Sequence, residues 1–223
     1  MAAPARSAPR SVARLFHLGP SHYCEKARKI LQFKRIPFEL VDVPYGNHQQ
    51  VIRETGQDYV PAVVTTEGKP VLWPEIADWA QRERPEPTLY PGAGPAHVRA
   101  RCRVIEHWAH NVVEELVWRY VVADVPERIA DPQARWVFVE LQERKRGPLE
   151  AMAARKGEFL AGVKEVCGLM QGVLADNAYF LGDKPSLADF ALYGALHPLG
   201  FSGNEIPRDF APLRTWHERV DRL

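Results

Sequence analysis

The hydrophobic pattern changes character once along this chain, and that change limits the folds open to it. Up to about residue 84 the segments alternate. Val12 to Leu18 is an apolar run that reads as a strand, and Ser21 to about Phe33 follows with Ala27, Ile30 and Leu31 at roughly helical spacing. Ile36 to Pro44 predicts a second strand, and Asn47 to Thr55 a short helix opened by an Asn cap. Val60 to Trp73 predicts a hairpin turning at Glu67-Gly68, and Pro74 to Arg84 a helix with proline in its first turn. The order is βαβαββα. Pro85 to Pro95 then concentrates prolines and glycines as a linker does. Beyond it only helical patterns remain, starting with a stripe of Ile105, Trp108, Val112, Leu116 and Tyr120. Further helices are predicted over Pro132 to about Arg155, Glu158 to about Asp176, Ser186 to Leu196 and Ala211 to the end. Strands first and helices afterwards imply two segregated units. Residues 12–84 form the first, 85–95 a linker and 96–223 an all-helical unit, with 1–11 a flexible tail.

The bulk properties exclude several function classes. A chain of 223 residues can bury a sizeable core. Its 29 basic and 28 acidic residues leave a formal net charge of +1, so nothing points to nucleic acid or an anionic membrane. Cys24, Cys102 and Cys167 are too few and scattered for a disulfide framework or a zinc site, and free thiols suit a cytoplasmic protein. The opening MAAPARSAPRSVAR lacks the apolar stretch of a secretory signal. No run approaches the ~18 apolar residues that span a membrane. Neither a metal-ligand cluster nor a phosphate-binding loop is present.

Three local features carry a resemblance to a known family. The first is the strand followed by Ser21-His-Tyr-Cys24-Glu-Lys-Ala-Arg28. The second is Val60-Pro61 entering a strand, and the third is FLGDKPSLADFALYG, Phe180 to Gly194. The chain from about Val12 onward resembles the cytosolic glutathione transferases, of the serine-type, bacterial-like kind. That resemblance implies an α/β thioredoxin-like N-terminal domain on an all-α C-terminal helical domain. It also implies a homodimer, a glutathione site on the first domain, and a pocket between the domains for a small electrophile. Detoxification by conjugating glutathione as co-substrate is the expected activity.

The residues allow different roles at each expected site. Ser21 before a helix is a common N-cap. In the serine-type enzymes that this chain resembles, the catalytic serine occupies this place and donates a hydrogen bond to the glutathione sulfur. A helix N-terminus favours anions. Lowering a thiol pKa from about 8.5 to about 6.5 raises its thiolate share at pH 7 from roughly 3% to roughly 75%. Cys24 is the alternative nucleophile, and would make the protein a glutathione-dependent thiol oxidoreductase. Its place matches the second position of C-x-x-C, which suits a buried packing residue, and no first cysteine is present. The resemblance makes Val60-Pro61 a cis peptide whose Val60 backbone pairs with the cysteinyl part of glutathione. The acid-Ser pair that holds the γ-glutamyl end in the family is missing; a gap-free placement from Leu72 puts Pro74 and Glu75 there, and a placement from Ile76 puts Leu72 and Trp73 there. Glu75 is the remaining candidate for the ligand's ammonium group. The missing pair favours a third possibility, a non-catalytic binding or interaction protein on the same scaffold.

His22 and Tyr23 read as exposed mouth residues, and His107, His110 and Asn111 as a solvated helix face. Glu143 to Arg146 reads as a solvated helix end, and Ser186 with Asp189 as a capping box.

Overall fold

The computed structural model describes residues 11–223, with Pro95 described by its backbone alone. The tail predicted over 1–11 therefore lies, but for Ser11, outside the described residues. Strands β1 (Ala13–His17), β2 (Phe38–Asp42), β3 (Ala62–Val64) and β4 (Pro70–Leu72) form one mixed sheet in the order β2-β1-β3-β4. β1 runs parallel to β2 and antiparallel to β3, and β3 is antiparallel to β4. Alternate residues of a strand face opposite sides of a sheet. Accordingly Ala13, Leu15 and Val63 join the main core, while Phe16, Ala62 and Val64 build a small second cluster with Val51. Helices α1 (His22–Phe33) and α3 (Ile76–Glu83) supply Ala27, Ile30, Leu31, Ile76 and Ala80 to the main core, and α2 (Gln49–Thr55) supplies Val51 to the second cluster. This is a thioredoxin-like domain followed by an all-helical one, the architecture of the glutathione transferase fold.

Helical boundaries depart from the sequence in three places. The Asn47 cap does not form: α2 starts two residues later, behind His48, which makes no side-chain cap bond. Gly46 takes φ +81° there, and Asn47 is spent closing a turn onto the Pro44 carbonyl at 3.2 Å. Pro74 stands outside α3, whose N-cap is Glu75. The helix predicted over Pro132 to Arg155 is two, α6 (Pro132–Arg146) and α7 (Leu149–Ala154), broken at Gly147-Pro148 where the glycine takes φ +85°.

The second unit begins with α4 (Pro95–Trp108), which passes through a π-helical turn at Ala109–Val113 into α5 (Glu114–Val121). A 3₁₀ turn at Val125–Arg128 leads to α6 and α7, then α8 (Lys156–Leu174), α9 (Leu187–Phe201) and α10 (Ala211–Asp221). α9 is buried over nearly its whole length and packs directly on α1. A Cβ placed on Gly194 would lie 2.6 Å from the His22 carbonyl oxygen, so only glycine lets the two backbones meet. Ser186 and Asp189 form the capping box of α9. The Asp189 carboxylate also accepts from the Phe180 N–H at 3.0 Å and the Trp216 indole at 2.9 Å, tying α10 to the same point.

The proline-rich connection is packed rather than free. Leu89 and Tyr90 are buried, the ammonium of Lys34 donates to the Pro85 and Pro87 carbonyls, and Leu187 N–H donates to the Leu89 carbonyl. One continuous apolar core therefore runs through both units. Among the described residues no helix is long and apolar enough to cross a membrane.

Candidate functional site

The loop after β1 is braced from the helical unit. His197 of α9 bonds the Gly19 carbonyl at 2.7 Å, and Phe201 lies so close to Gly19 that an added Cβ would approach it to 2.9 Å. This bracing fixes Ser21 as the N-cap of α1, with extended backbone angles. Its Oγ accepts from Cys24 N–H at 3.4 Å, and its hydroxyl also bonds the Cys24 sulfur.

Cys24 is 2% exposed, and its sulfur accepts from Leu18 N–H at 3.3 Å. Burial pushes the thiol up to about 11, against the opposing hydrogen bonds from Ser21 and Leu18. A sealed, protonated thiol is a packing group.

The register Phe16↔Ala62 carries Pro61 and Val60 past the end of β3 toward the loop that holds Ser21. The Val60–Pro61 peptide is cis; Pro61 is buried and Val60 half-buried. Glu75 is exposed and makes no side-chain cap bond. It borders a separate cavity of about 300 Å³ between α3 and α4, together with Arg103 and Glu106. Pro74 has no N–H, and Glu75 N–H donates to the Leu72 carbonyl at 2.8 Å. In the placement from Leu72, neither residue at the acid-Ser pair therefore offers a free backbone donor.

A cavity of about 510 Å³ opens on the other side, between the units. Leu18, Gly19 and Pro20 form one wall, Asp42 to Tyr45 a second, and Arg128 to Asp131 with Ala134 and Phe201 the rest. Ser21 directly follows that first wall.

Behind Ser21 lies a polar cluster. Lys26 is fully buried, paired with Glu106, and sits 4.3 Å over the Trp73 ring. His22 Nδ1 lies 3.3 Å from Glu114, and His110 Nε2 lies 3.7 Å from Glu106. The His22, Tyr23, Trp73 and His110 rings pack on one another, with His22 and Tyr23 centroids 3.8 Å apart. Burial pulls against ionisation of Glu106, but His110 and Lys26 hold its carboxyl down at about 2. Burial lowers His110 below the ordinary histidine range, despite Glu106.

This cluster corrects two expectations. His22 and His110 are not solvated: their side chains are 10% and 8% exposed, because α4 and α1 close over them. His107 and Asn111 do stay on the exposed face, bonded to each other. Likewise Arg146 is not a solvated helix end; it is drawn in by Glu115 at 2.8 Å. The spacing Glu106-x3-His110-x3-Glu114 opposite His22-x3-Lys26 was the available signal.

Comparisons with known proteins agree with this fold. The glutathione S-transferase N-terminal domain family matches residues 15–73, and the corresponding C-terminal domain family matches 146–219, together more than half of the chain. A glutathione transferase from Phanerochaete chrysosporium superposes with a TM-score of 0.80 at 16% identity, covering 95% of this chain and 96% of that one. Glutaredoxin 2 from Salmonella typhimurium, solved with glutathione, gives 0.77 at 19% identity over 96% and 94%. A glutathione S-transferase from Rhodospirillum rubrum gives 0.72 at 21% identity over 95% and 89%. Comparison with curated protein sequences gives no match. The structural likenesses, at such identities, speak for the fold; with the two domain matches, the chain belongs to the glutathione transferase superfamily.

Proposed function

We propose that this protein binds glutathione at the N-terminus of α1 and conjugates it to a small electrophile. The observation that carries the proposal is the place of Ser21: a capping serine at the N-terminus of α1, next in the chain after the Leu18–Pro20 wall of the interdomain cavity. On this reading the hydroxyl and the helix N-terminus stabilise the glutathione thiolate. The Val60 backbone pairs with the cysteinyl unit, and the cavity of about 510 Å³ holds the electrophile at the sulfur. The protein is then a serine-type transferase of cytoplasmic detoxification; its three buried free cysteines suit a reducing compartment. Homodimerisation is the family's expectation, and sedimentation equilibrium reads it.

Replacing Ser21 with Ala should lower kcat/KM about ten- to a hundredfold, since a hydrogen bond to a charged group contributes about 1.5–3 kcal/mol. Cys24→Ala should keep most activity. The opposite ranking would assign the chemistry to Cys24, against its burial.

A second reading, glutathione-free binding on the same scaffold, is favoured by one observation: Pro74 and Glu75 offer no free N–H for a ligand carboxylate. Calorimetry with glutathione separates the two. Measurable binding supports the transferase, and none at millimolar ligand supports the binding protein.

A further inference from the structure

The first turn of α1 meets the helical unit through stacked rings. His110 belongs to the π-helical turn at Ala109–Val113, a departure from regular helix that recurs at functional sites. Its ring packs on His22 and Tyr23, with centroids 5.1 and 4.5 Å away, and stands edge-on to Trp73 at 5.8 Å. His22 and Tyr23 directly follow Ser21, the cap of the same helix. On another side the His22 carbonyl abuts Gly194 of α9. The place of Ser21 thus depends on a backbone contact with α9 and on the ring carried by the π turn.

A neutral imidazole has one donor and one acceptor. His110 uses neither: both its ring nitrogens are sealed from solvent without a hydrogen bond. Its Nε2 lies 3.7 Å from Glu106, beyond hydrogen-bond range. The groups that face it are Glu106 on α4 and Lys26, His22 and Tyr23 on α1, while Glu114 of α5 faces His22. α9 also packs on the π turn, but its titratable residues are bonded elsewhere: Asp189 to Trp216, Tyr193 to Asp221 and His197 to the Gly19 carbonyl. A proton turns the ring into a cation with two donors. Its carboxylate neighbour, Glu106, is already held by the Lys26 ammonium. Two cations then share one carboxylate where water does not reach, which is costly. The charged ring gains partners only by leaving its stack on His22 and Tyr23.

We propose that His110 is a positioning residue: its neutral ring latches the first turn of α1, and with it Ser21, onto the helical unit, and a proton on the ring releases that turn. For its effect on activity the inference rests on the transferase reading above; the latch itself does not. Ser21 is then in place in neutral solution and loses its place in acid. The direction follows from linkage. Burial lowers the docked ring below the ordinary value of 6.5, at which the released ring takes up its proton. Release therefore grows as the pH falls below about 6.5.

Hydrogen exchange on the full-length protein tests the latch without glutathione. Between pH 7 and pH 5, after correction for intrinsic exchange, the amides of Glu25 to Arg28 should lose about three- to tenfold in protection. The loss should be indifferent to low urea, because a local release exposes little surface. His110→Phe keeps an aromatic ring that takes up no proton, and its α1 amides should stay protected. In Lys26→Met the charged ring has Glu106 to itself, so the acid loss should vanish there too; this variant serves where His110→Phe fails to fold. No loss in the unmodified protein, a loss that grows with urea, or an equal loss in either variant would overturn the latch. With glutathione and chlorodinitrobenzene, kcat/KM of the unmodified protein should fall about three- to tenfold more over the same range than that of His110→Phe. Identical pH profiles would overturn the latch. No turnover beside an intact acid loss of protection would overturn the transferase reading and keep the latch.

Discussion

Two of the buried polar assemblies in this molecule are built differently. Asp189 is wholly buried and saturated: Phe180 N–H, Ser186 N–H, the Ser186 hydroxyl and the Trp216 indole all donate to it. The cluster of His22, Lys26, Glu106 and His110 is incomplete. His22 Nε2 and both ring nitrogens of His110 are buried without a hydrogen bond. Buried polar atoms are nearly always paired, so the difference has consequences. The first assembly joins three segments of one unit and specifies their arrangement. The second crosses between units, directly behind Ser21, and leaves room for proton-dependent change.

The comparison can be broken most decisively at Asp189. Asp189→Ala strands the Ser186, Phe180 and Trp216 donors in an apolar interior and should cost about 3–5 kcal/mol, because each stranded buried donor costs about 1–3 kcal/mol. This exceeds the ~1 kcal/mol expected for a helix cap alone. Urea unfolding measures it. Next, Lys26→Met leaves Glu106 beside His110 without its cation, and should cost about 1–3 kcal/mol. A Lys26→Met/Glu106→Gln double variant should regain part of that loss. A Lys26 effect larger than that of Asp189 would reverse the ranking of the two assemblies.

The smallest effect concerns pH. Burial lowers His110 below its unfolded value near 6.5, so the unfolded chain takes up the proton first. Its contribution is full above pH 6.5 and is lost as pH falls through the folded value. The melting temperature should therefore drop between pH 7 and pH 5. His17 and His217 are lowered by burial too and act in the same direction. His110→Phe should flatten the profile in part, while changing stability at pH 7 by no more than about 1 kcal/mol, since it removes unpaired polar atoms.

How legible these features were in the sequence follows their range along the chain. The Asp189 box was readable because Ser186-x-x-Asp189 is local, but its bond to Trp216 spans 27 positions and has no spacing rule. Strand faces were readable from alternation, as with Leu15 and Phe16 in different clusters. The break at Gly147-Pro148 was written plainly, yet the helical pattern on both sides outweighed it. The burial of Lys26 was not legible, because charge patterning cannot say that α9 and α4 close over α1. Tyr45 stood in a Pro-Gly turn with no motif, and its cavity is assembled from residues as distant as Leu18 and Phe201. Ser21 was legible through its place before the helix, whereas the lost donor at Glu75 needed the turn geometry.

The π-helical turn at Ala109–Val113 has a mechanical meaning. Each residue of an α-helix rotates the side-chain direction by about 100°, and a π turn holds one residue more than an α turn. Everything after Val113 is thus out of phase with everything before Ala109, as if the rod had been sheared and re-clamped. Upstream of the offset, Glu106 addresses the first unit; downstream, Val117 and Val121 are turned fully into the helical core. Deleting Asn111 would cancel the offset and make one uninterrupted rod. Such a rod could keep either its grip on Lys26 or its seat among the other helices, but not both at once.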